Sequence, residues 1–203
     1  MYIWGNIRYL INLTKFGHDC KSLRLNSLKS SIEKFFNNTS PTKHMESIKI
    51  FNQIRDLPFH CPESLEDKDY RCWGKNRILF EELKKNNFEV RFRVCDFLWS
   101  EQKIPRGITL KSPKDLDKHL YVEIKIDNKW VLLDCSNDSK LPSYNTWDGK
   151  SNCEIAVKYT KIYSPEESKE IEEQEKTEFI NNFNQYKEFY ISMNKFFDKL
   201  RLM

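Results

Sequence analysis

The stretch HLYVEIKIDNKWVLLD, residues 119–134, alternates apolar and polar side chains on both sides of Asp127-Asn128. Alternation with a period of two is typical of a half-buried strand, and an Asp-Asn pair tolerates the positive φ angles of a tight turn. The stretch therefore predicts an antiparallel hairpin with a two-residue loop. In that hairpin Ile126 pairs with Lys129 across the turn.

The predicted register decides which side chains share a face of the hairpin. With Ile126 opposite Lys129, His119 and Asp134 point to the same face as diagonal neighbours about 7 Å apart. A slip of one residue would put them on opposite faces. The other face is the more apolar one and carries Leu120, Val122, Ile124, Ile126, Val131 and Leu133. The helix that carries Cys72 is expected to pack there, whereas contact between Cys72 and His119 requires the tip of that helix to meet the other face. We therefore expect both faces to be at least partly buried.

The stretch DKDYRCWGKNRILFEELKKNN, residues 67–87, is typical of an amphipathic helix. Its start offers Asp69 as an N-cap, and it ends at the turn-prone Asn86-Asn87. Its buried side is formed by Ile78 or Leu79 together with Phe80 and Leu83. Cys72 falls in the first turn, where unpaired N–H groups and the positive end of the helix dipole favour a thiolate.

Further elements surround these two stretches. A helix is expected from Pro41 to just before Pro58, and a strand in FEVRFRVCDF, residues 88–97. Residues 99–118 are expected to form a structureless lid or binding loop, followed after the hairpin by a short strand within EIAVKYTKI. Ser164, Pro165 and Glu167 form a capping box, which predicts the start of a C-terminal helix.

The expected organisation is a single α+β domain over residues 1–203. It comprises an N-terminal helical segment at residues 1–44, a core at residues 45–160 and the C-terminal helix at residues 164–203. That helix carries an apolar stripe formed by Phe179, Phe183, Tyr186, Tyr190, Met193, Phe197 and Leu200. The stripe either packs across the N-terminal helices or forms the seam of a homodimer.

Composition excludes several classes of protein. The 34 basic and 30 acidic residues are largely interleaved and leave a net charge of +4, so we expect no binding to nucleic acid or to a membrane surface. The opening MYIWGNIRYLINLTKF lacks the features of an export signal, and no run approaches about 18 apolar residues. Six cysteines without a secretory signal predict reduced thiols in a cytoplasmic protein.

Cys72, His119 and Asp134 suit nucleophilic catalysis. A thiolate attacks a carbonyl carbon, an imidazole moves the proton, and a carboxylate fixes the tautomer of the imidazole. Zinc binding is the first alternative, because the chain has four histidines and six cysteines. No CxxC or HxxxH spacing supports it, so no metal or other cofactor is expected.

The same residues resemble the transglutaminase-like superfamily, which shares the papain-like cysteine fold. The resemblance rests on Cys72-Trp73 opening a helix, on the strand VRFRVCDF that follows, and on His119 starting a hairpin strand. It extends to Asp134 at the end of the hairpin and includes the preceding helix, so it covers about residues 45–160. Arg71 departs from the pattern, because a small residue often precedes the cysteine in that family.

The resemblance implies a Cys-bearing helix packed on an antiparallel sheet and a catalytic triad of Cys72, His119 and Asp134. It implies acyl transfer or hydrolysis at an amide, in a peptide or a glutamine side chain, through a thioester. Whether the acyl group passes to water or to an amine is left open. The alternative is the same fold serving as a non-catalytic binding or scaffolding module.

Overall fold

The hairpin that the sequence predicts lies at the centre of the fold. The computed structural model describes residues 41–203, in which β2 (Leu116–Ile126) pairs antiparallel with β3 (Lys129–Leu133). Ile126 lies opposite Lys129, and the turn residues Asp127 and Asn128 have φ angles of 48° and 62°. These left-handed values are those of the two-residue turn preferred in hairpins. The predicted register is therefore confirmed.

Two further strands complete a four-stranded antiparallel sheet. Strand β1 (Val90–Leu98) pairs with β2, and the short β4 (Tyr159–Ile162) pairs with the other side of β1. The order across the sheet is β3-β2-β1-β4. Strand β2 is consequently an inner strand, held by backbone hydrogen bonds on both sides, which gives the side chains it carries a rigid base.

The helices are α1 (Pro41–Arg55), α2 (Cys72–Lys85), the short α3 (Arg106–Thr109) and α4 (Pro165–Arg201). Helix α4 begins with the predicted capping box, in which Ser164 and Glu167 cap each other's backbone N–H groups. Helices and an antiparallel sheet together confirm the α+β class. Within residues 41–203, no helix is long and apolar enough to span a membrane.

The main core lies between α1, α2 and the apolar face of the hairpin. It buries Phe51 of α1, Leu79 and Leu83 of α2, and hairpin residues such as Val122 and Ile124. At the start of α2, a smaller cluster joins Trp73 to Val94 and Leu120. The opposite face of β2 is also covered, since Tyr121 is 1% exposed. Both faces of the hairpin are thus at least partly buried, as predicted.

Two local predictions are wrong. Asp69 does not cap α2: Arg71 is the N-cap residue and makes no side-chain capping bond, while Asp69 Oδ1 accepts the Arg71 N–H. Residues 99–118 are not structureless, because they contain a 3-10 turn at Trp99–Glu101, helix α3 and the first residues of β2. Trp99 donates its N–H to the Asp115 carbonyl across this segment, which closes it into a compact loop.

The apolar stripe of α4 packs within the described part of the chain. Phe183, Tyr190 and Met193 of the stripe are buried in one cluster with Cys61. Phe197 contacts Phe59 with ring centroids 4.3 Å apart. Residues 41–203 form one compact unit. The predicted helical segment at residues 1–44, apart from the start of α1, and the packing of the stripe across it lie outside the described residues. The single domain over residues 1–203 and the homodimer stay predictions.

Candidate active site

The thiol of the site is placed by the first turn of α2. The helix begins at Cys72, so the thiol lies at the end where backbone N–H groups lack intrahelical acceptors. The preceding chain passes very close to this turn: a Cβ on Gly74 would lie 1.8 Å from the Asp69 carbonyl oxygen. Glycine at this position is therefore what allows the segment before Cys72 to pack against the helix.

The His119 imidazole lies between Cys72 and Asp134. Its Nε2 is 2.7 Å from Oδ2 of Asp134, and because an ionised carboxylate only accepts, the Nε2–H donates. The Cys72 thiol also interacts with the imidazole and favours its protonated form, which raises the pKa of His119. Since Nε2 is occupied by Asp134, Nδ1 is the nitrogen available to the thiol. The structure therefore brings together the three residues that the sequence singles out.

Each member of the His119–Asp134 pair stabilises the charge on the other. Burial alone would lower the pKa of His119, but the Asp134 carboxylate and the Cys72 sulfur outweigh it and hold the pKa well above the ordinary 6.5. Burial opposes ionisation of Asp134 too, yet His119 and the hydrogen bonds of the carboxylate hold its pKa below 3.8. A proton on His119 is therefore favoured at neutral pH.

Asp134 is held by hydrogen bonds on both of its oxygens. Ser136 donates its N–H to Oδ1 over 3.0 Å and its hydroxyl to the same oxygen. Ala156 donates its N–H to Oδ2 over 2.8 Å. Asp134 is fully buried, so these donors supply the solvation that water would otherwise give a carboxylate. They also fix the direction in which Oδ2 meets His119.

Asn76, one turn after Cys72, joins the helix to the hairpin. Its Nδ2 donates to the Cys72 carbonyl over 3.0 Å, to the Leu120 carbonyl over 2.9 Å and to Asp134 Oδ1 over 3.3 Å. Its Oδ1 accepts the Cys135 N–H. One buried amide thus contacts the backbone of the cysteine, the residue after the histidine and the aspartate itself. Such a network fixes the relative positions of the three.

Lys75 connects the first turn of α2 to segments that are distant from it along the chain. The side chain is fully buried, and its Nζ donates to the carbonyls of Arg55 and Leu57 over 2.8 Å and of Ser136 over 3.1 Å. Burial lowers the pKa of Lys75 to about 8. Because Ser136 also donates to Asp134, Lys75 supports the carboxylate of the site through one intervening residue.

Sequence reasoning missed Asn76, Lys75 and Ser136, although one signal was present. Lys75 and Asn76 lie three and four residues after Cys72, on the helix face that continues with the apolar Leu79. Polar residues within a buried stripe need buried partners, which points to a polar network. Ser136 carries no comparable signal, because its role depends on how the chain turns after β3.

Cys72 and His119 both line a cavity of about 1020 Å³. Asp134 is fully buried behind the imidazole, so the cavity exposes the sulfur and the ring while the carboxylate stays away from solvent. The Cys72 N–H makes no hydrogen bond within residues 41–203. It is therefore a candidate donor to an oxyanion that forms next to the sulfur.

Other chemistry has little support among the described residues. In residues 41–203, no group of three or more His, Cys, Asp or Glu side chains is arranged to hold a metal ion. The five cysteines of that range are free thiols. Comparisons of the chain with protein-family models, with curated proteins and with solved structures found no match.

Proposed function

We propose that this protein is a cysteine-dependent acyl-transfer enzyme with a transglutaminase-like core, acting on amides of peptides or proteins. The observation that carries the proposal is the His119 imidazole, which is hydrogen-bonded to Asp134 and lines a large cavity together with the Cys72 thiol, whose presence raises the pKa of His119. A cysteine opening a helix, a histidine on an inner antiparallel strand and an aspartate after the next strand support the transglutaminase-like assignment.

The geometry supports a two-step reaction. Cys72 Sγ bonds to the amide carbonyl carbon, and the oxyanion that forms is stabilised by the Cys72 N–H. His119 Nδ1–H then protonates the leaving amine as the C–N bond breaks, which leaves a thioester on Cys72. Water or an amine next attacks the thioester and gives its proton to His119, and cleavage of the C–S bond restores the thiolate.

Asp134 acts through His119 and does not touch the substrate. Its carboxylate holds Nε2–H, so Nδ1 is directed at the sulfur in every step. The proton that Asp134 favours on His119 is the one that passes to the leaving amine.

The proposal is tested by trapping the thioester. The protein is incubated with a library of activated peptide esters and amides, digested and mapped by mass spectrometry. We expect an acyl group on Cys72 that is released by hydroxylamine. The Cys72→Ala variant should carry none. Cys61→Ala is the matched control, because Cys61 lines the same cavity without a histidine partner, and it should acylate normally.

The same assay separates the possible outcomes. Release of free acid in water indicates hydrolysis, whereas faster turnover with an added primary amine, and formation of its amide, indicates transamidation. Acylation that survives in Cys72→Ala would contradict the proposed mechanism. An intact fold with no acylation of Cys72 by any library member would favour the non-catalytic binding module.

A further inference from the structure

Arg71, the residue before Cys72, occupies a position that the local energetics of a helix do not favour. It is the N-cap residue of α2, where short side chains with an oxygen acceptor are usual. Its cation also lies at the end of the helix where the dipole is positive. The side chain is nevertheless only 11% exposed. Contacts with other parts of the chain must therefore compensate for an arginine at this position.

One carboxylate holds both the guanidinium and the backbone of Arg71. Nε donates to Oδ1 of Asp69 over 2.9 Å, and Nη2 donates to Oδ2 over 2.8 Å, which is a bidentate ion pair. The Arg71 N–H donates to the same Oδ1 over 2.9 Å. The side chain and the backbone of this residue thus share an anchor, so a rotation of one disturbs the other.

Helix α4 supplies further contacts of the guanidinium. The Tyr190 hydroxyl accepts a hydrogen bond from Nη1 over 2.7 Å, and Glu175 Oε1 lies 3.9 Å from Nη2. The guanidinium carbon lies 4.6 Å from the ring centroid of Phe179 and 4.9 Å from that of Tyr190. A planar fork that donates in several directions and packs on rings is a property of arginine that lysine lacks. Helix α4 therefore holds Arg71, although the helix lies outside the segment that carries the family resemblance.

The backbone of Arg71 sets the direction of the Cys72 N–H. The Arg71 carbonyl and the Cys72 N–H belong to one planar peptide unit, and in a trans peptide they point in opposite directions. The carbonyl accepts the Lys75 N–H over 3.0 Å, in the first turn of α2. The Cys72 N–H consequently points out of the N-terminal end of the helix, where Cys72 lines the cavity.

We infer that Arg71 is a positioning residue for the oxyanion of the reaction: held by Asp69 and by α4, it fixes the peptide unit whose N–H stabilises the negative oxygen formed next to the Cys72 sulfur. This inference rests on the proposed function and adds a residue to its machinery. A hydrogen-bond donor of this kind accelerates a reaction when it is already aimed at the place where charge develops. The contacts that hold Arg71 thus contribute to the rate through the Cys72 N–H.

Two reactions of the same sulfur separate this role from a general effect on the thiol. With p-nitrophenyl acetate, Cys72 Sγ bonds to the acetyl carbonyl carbon, an oxyanion forms, and its collapse breaks the C–O bond and releases p-nitrophenolate. With iodoacetamide, Sγ displaces iodide from a saturated carbon, and no oxyanion forms. A change in the thiolate population alters both rates in the same direction. The ratio of the acylation rate to the alkylation rate therefore reports on the oxyanion donor.

Both rates are measured at Cys72 in the full chain by mass spectrometry of the digested protein. Arg71→Met should lower the ratio about tenfold, because a misdirected N–H loses part of its stabilisation of the oxyanion. Arg77→Met is the matched control. Arg77 lies on the same helix and pairs with Glu172 at 2.7 Å and with Glu175 at 3.1 Å, but it lies outside the peptide unit of Cys72. This control should leave the ratio within about twofold of the wild-type value.

Tyr190→Phe is the second variant, because it removes a single hydroxyl from the contacts of Arg71. It should lower the ratio about threefold, and it replaces Arg71→Met as the test if that variant does not fold by circular dichroism. A wild-type ratio in the folded test variant, or an equal fall in Arg77→Met, would overturn the inference while acylation of wild-type Cys72 leaves the proposed function standing. Alkylation of wild-type Cys72 without any acylation would contradict the proposed function itself, and the inference with it.

Discussion

Two thiols, Cys72 and Cys61, line the same cavity, and their surroundings differ. Cys72 opens a helix and interacts with the His119 imidazole, whose pKa it helps to raise. Cys61 lies in the extended chain before that helix, where Asn194 clamps its backbone: Asn194 Oδ1 accepts the N–H over 2.8 Å, and Nδ2 donates to the carbonyl over 2.9 Å. Both thiols therefore line the cavity, whereas, of the two, Cys72 is the one that interacts with an imidazole within residues 41–203.

We propose that this difference separates a reactive thiol, Cys72, from a structural one, Cys61. Burial raises the pKa of the Cys61 thiol, so Cys61 stays protonated and behaves as a small apolar side chain. The two hydrogen bonds from Asn194 attach the backbone of Cys61 to α4. Cys72 instead has the His119 imidazole nearby, which in the proposed mechanism takes the proton of the thiol and gives it to a leaving amine. In this account, the His119 imidazole is what makes the Cys72 thiol reactive.

The largest expected effect is the loss of activity when Cys72, but not Cys61, is replaced. Cys72→Ala should lower kcat/KM for an amide substrate roughly 10⁴-fold or more, because the nucleophile is lost. Adding His119→Ala should cost little further, since the two residues act as a unit. Cys61→Ala, measured on the same substrate, should stay within about threefold of the wild type. Comparable losses in the two single variants would remove the distinction between the thiols.

Asn194→Ala should lower the free energy of unfolding. The change leaves the N–H and carbonyl of the buried Cys61 without partners, which costs about 2 kcal/mol in the free energy of unfolding. Urea denaturation measures the loss. Asn181→Ala, an exposed asparagine on the same helix, is the control and should change the value by less than about 0.5 kcal/mol. A loss of the same size in both variants would show that the two hydrogen bonds between Asn194 and Cys61 contribute nothing specific to stability.

The His119–Asp134 pair should give stability a dependence on pH. The raised pKa of His119 contributes stability that is complete below 6.5 and is lost as the pH rises through the pKa of the folded protein. The lowered pKa of Asp134 contributes stability that is present above 3.8 and is lost below it. Between pH 7 and pH 8 the wild type should therefore lose roughly 1 kcal/mol more than Asp134→Asn, which lacks the pair.

Urea denaturation at pH 6, 7, 8 and 9 measures that difference. Other titrating groups are shared by the two proteins, so the difference between the two curves isolates the pair. Parallel curves would show that the carboxylate does not stabilise the proton on His119.

The hairpin, and with it the face shared by His119 and Asp134, could be predicted from sequence because its determinants are local. Alternation along residues 119–134 and the turn at Asp127-Asn128 fix the register, and the register fixes the face shared by His119 and Asp134. The start of α2 was placed within a few residues of Cys72, although the proposed cap was not used.

The rest depends on contacts between distant parts of the chain. Residues 99–118 were predicted to be a structureless loop, because nothing in that stretch shows that Trp99 meets Phe189 on a helix far along the chain. The amide of Asn76 likewise bonds to residues from both strands of the hairpin. Partners of this kind are set by packing, which a single sequence does not display.

The central claim, that His119 makes Cys72 the reactive thiol, is tested most directly by competitive alkylation. The protein is treated with iodoacetamide at pH 6, and the labelling rates of Cys72 and Cys61 are followed by mass spectrometry of the digested chain. Cys61 is 2% exposed, so a faster rate at Cys72 in the wild type is not sufficient. The decisive comparison is between the wild type, His119→Ala and His60→Ala, in which the histidine next to Cys61 is removed.

Slower labelling of Cys72 in His119→Ala, by about tenfold or more, with Cys61 unchanged, is the result that the account predicts, because the thiolate loses its imidazolium partner. His60→Ala should leave the Cys72 rate at the wild-type value. Equal labelling of Cys72 in the wild type and in folded His119→Ala would contradict the account.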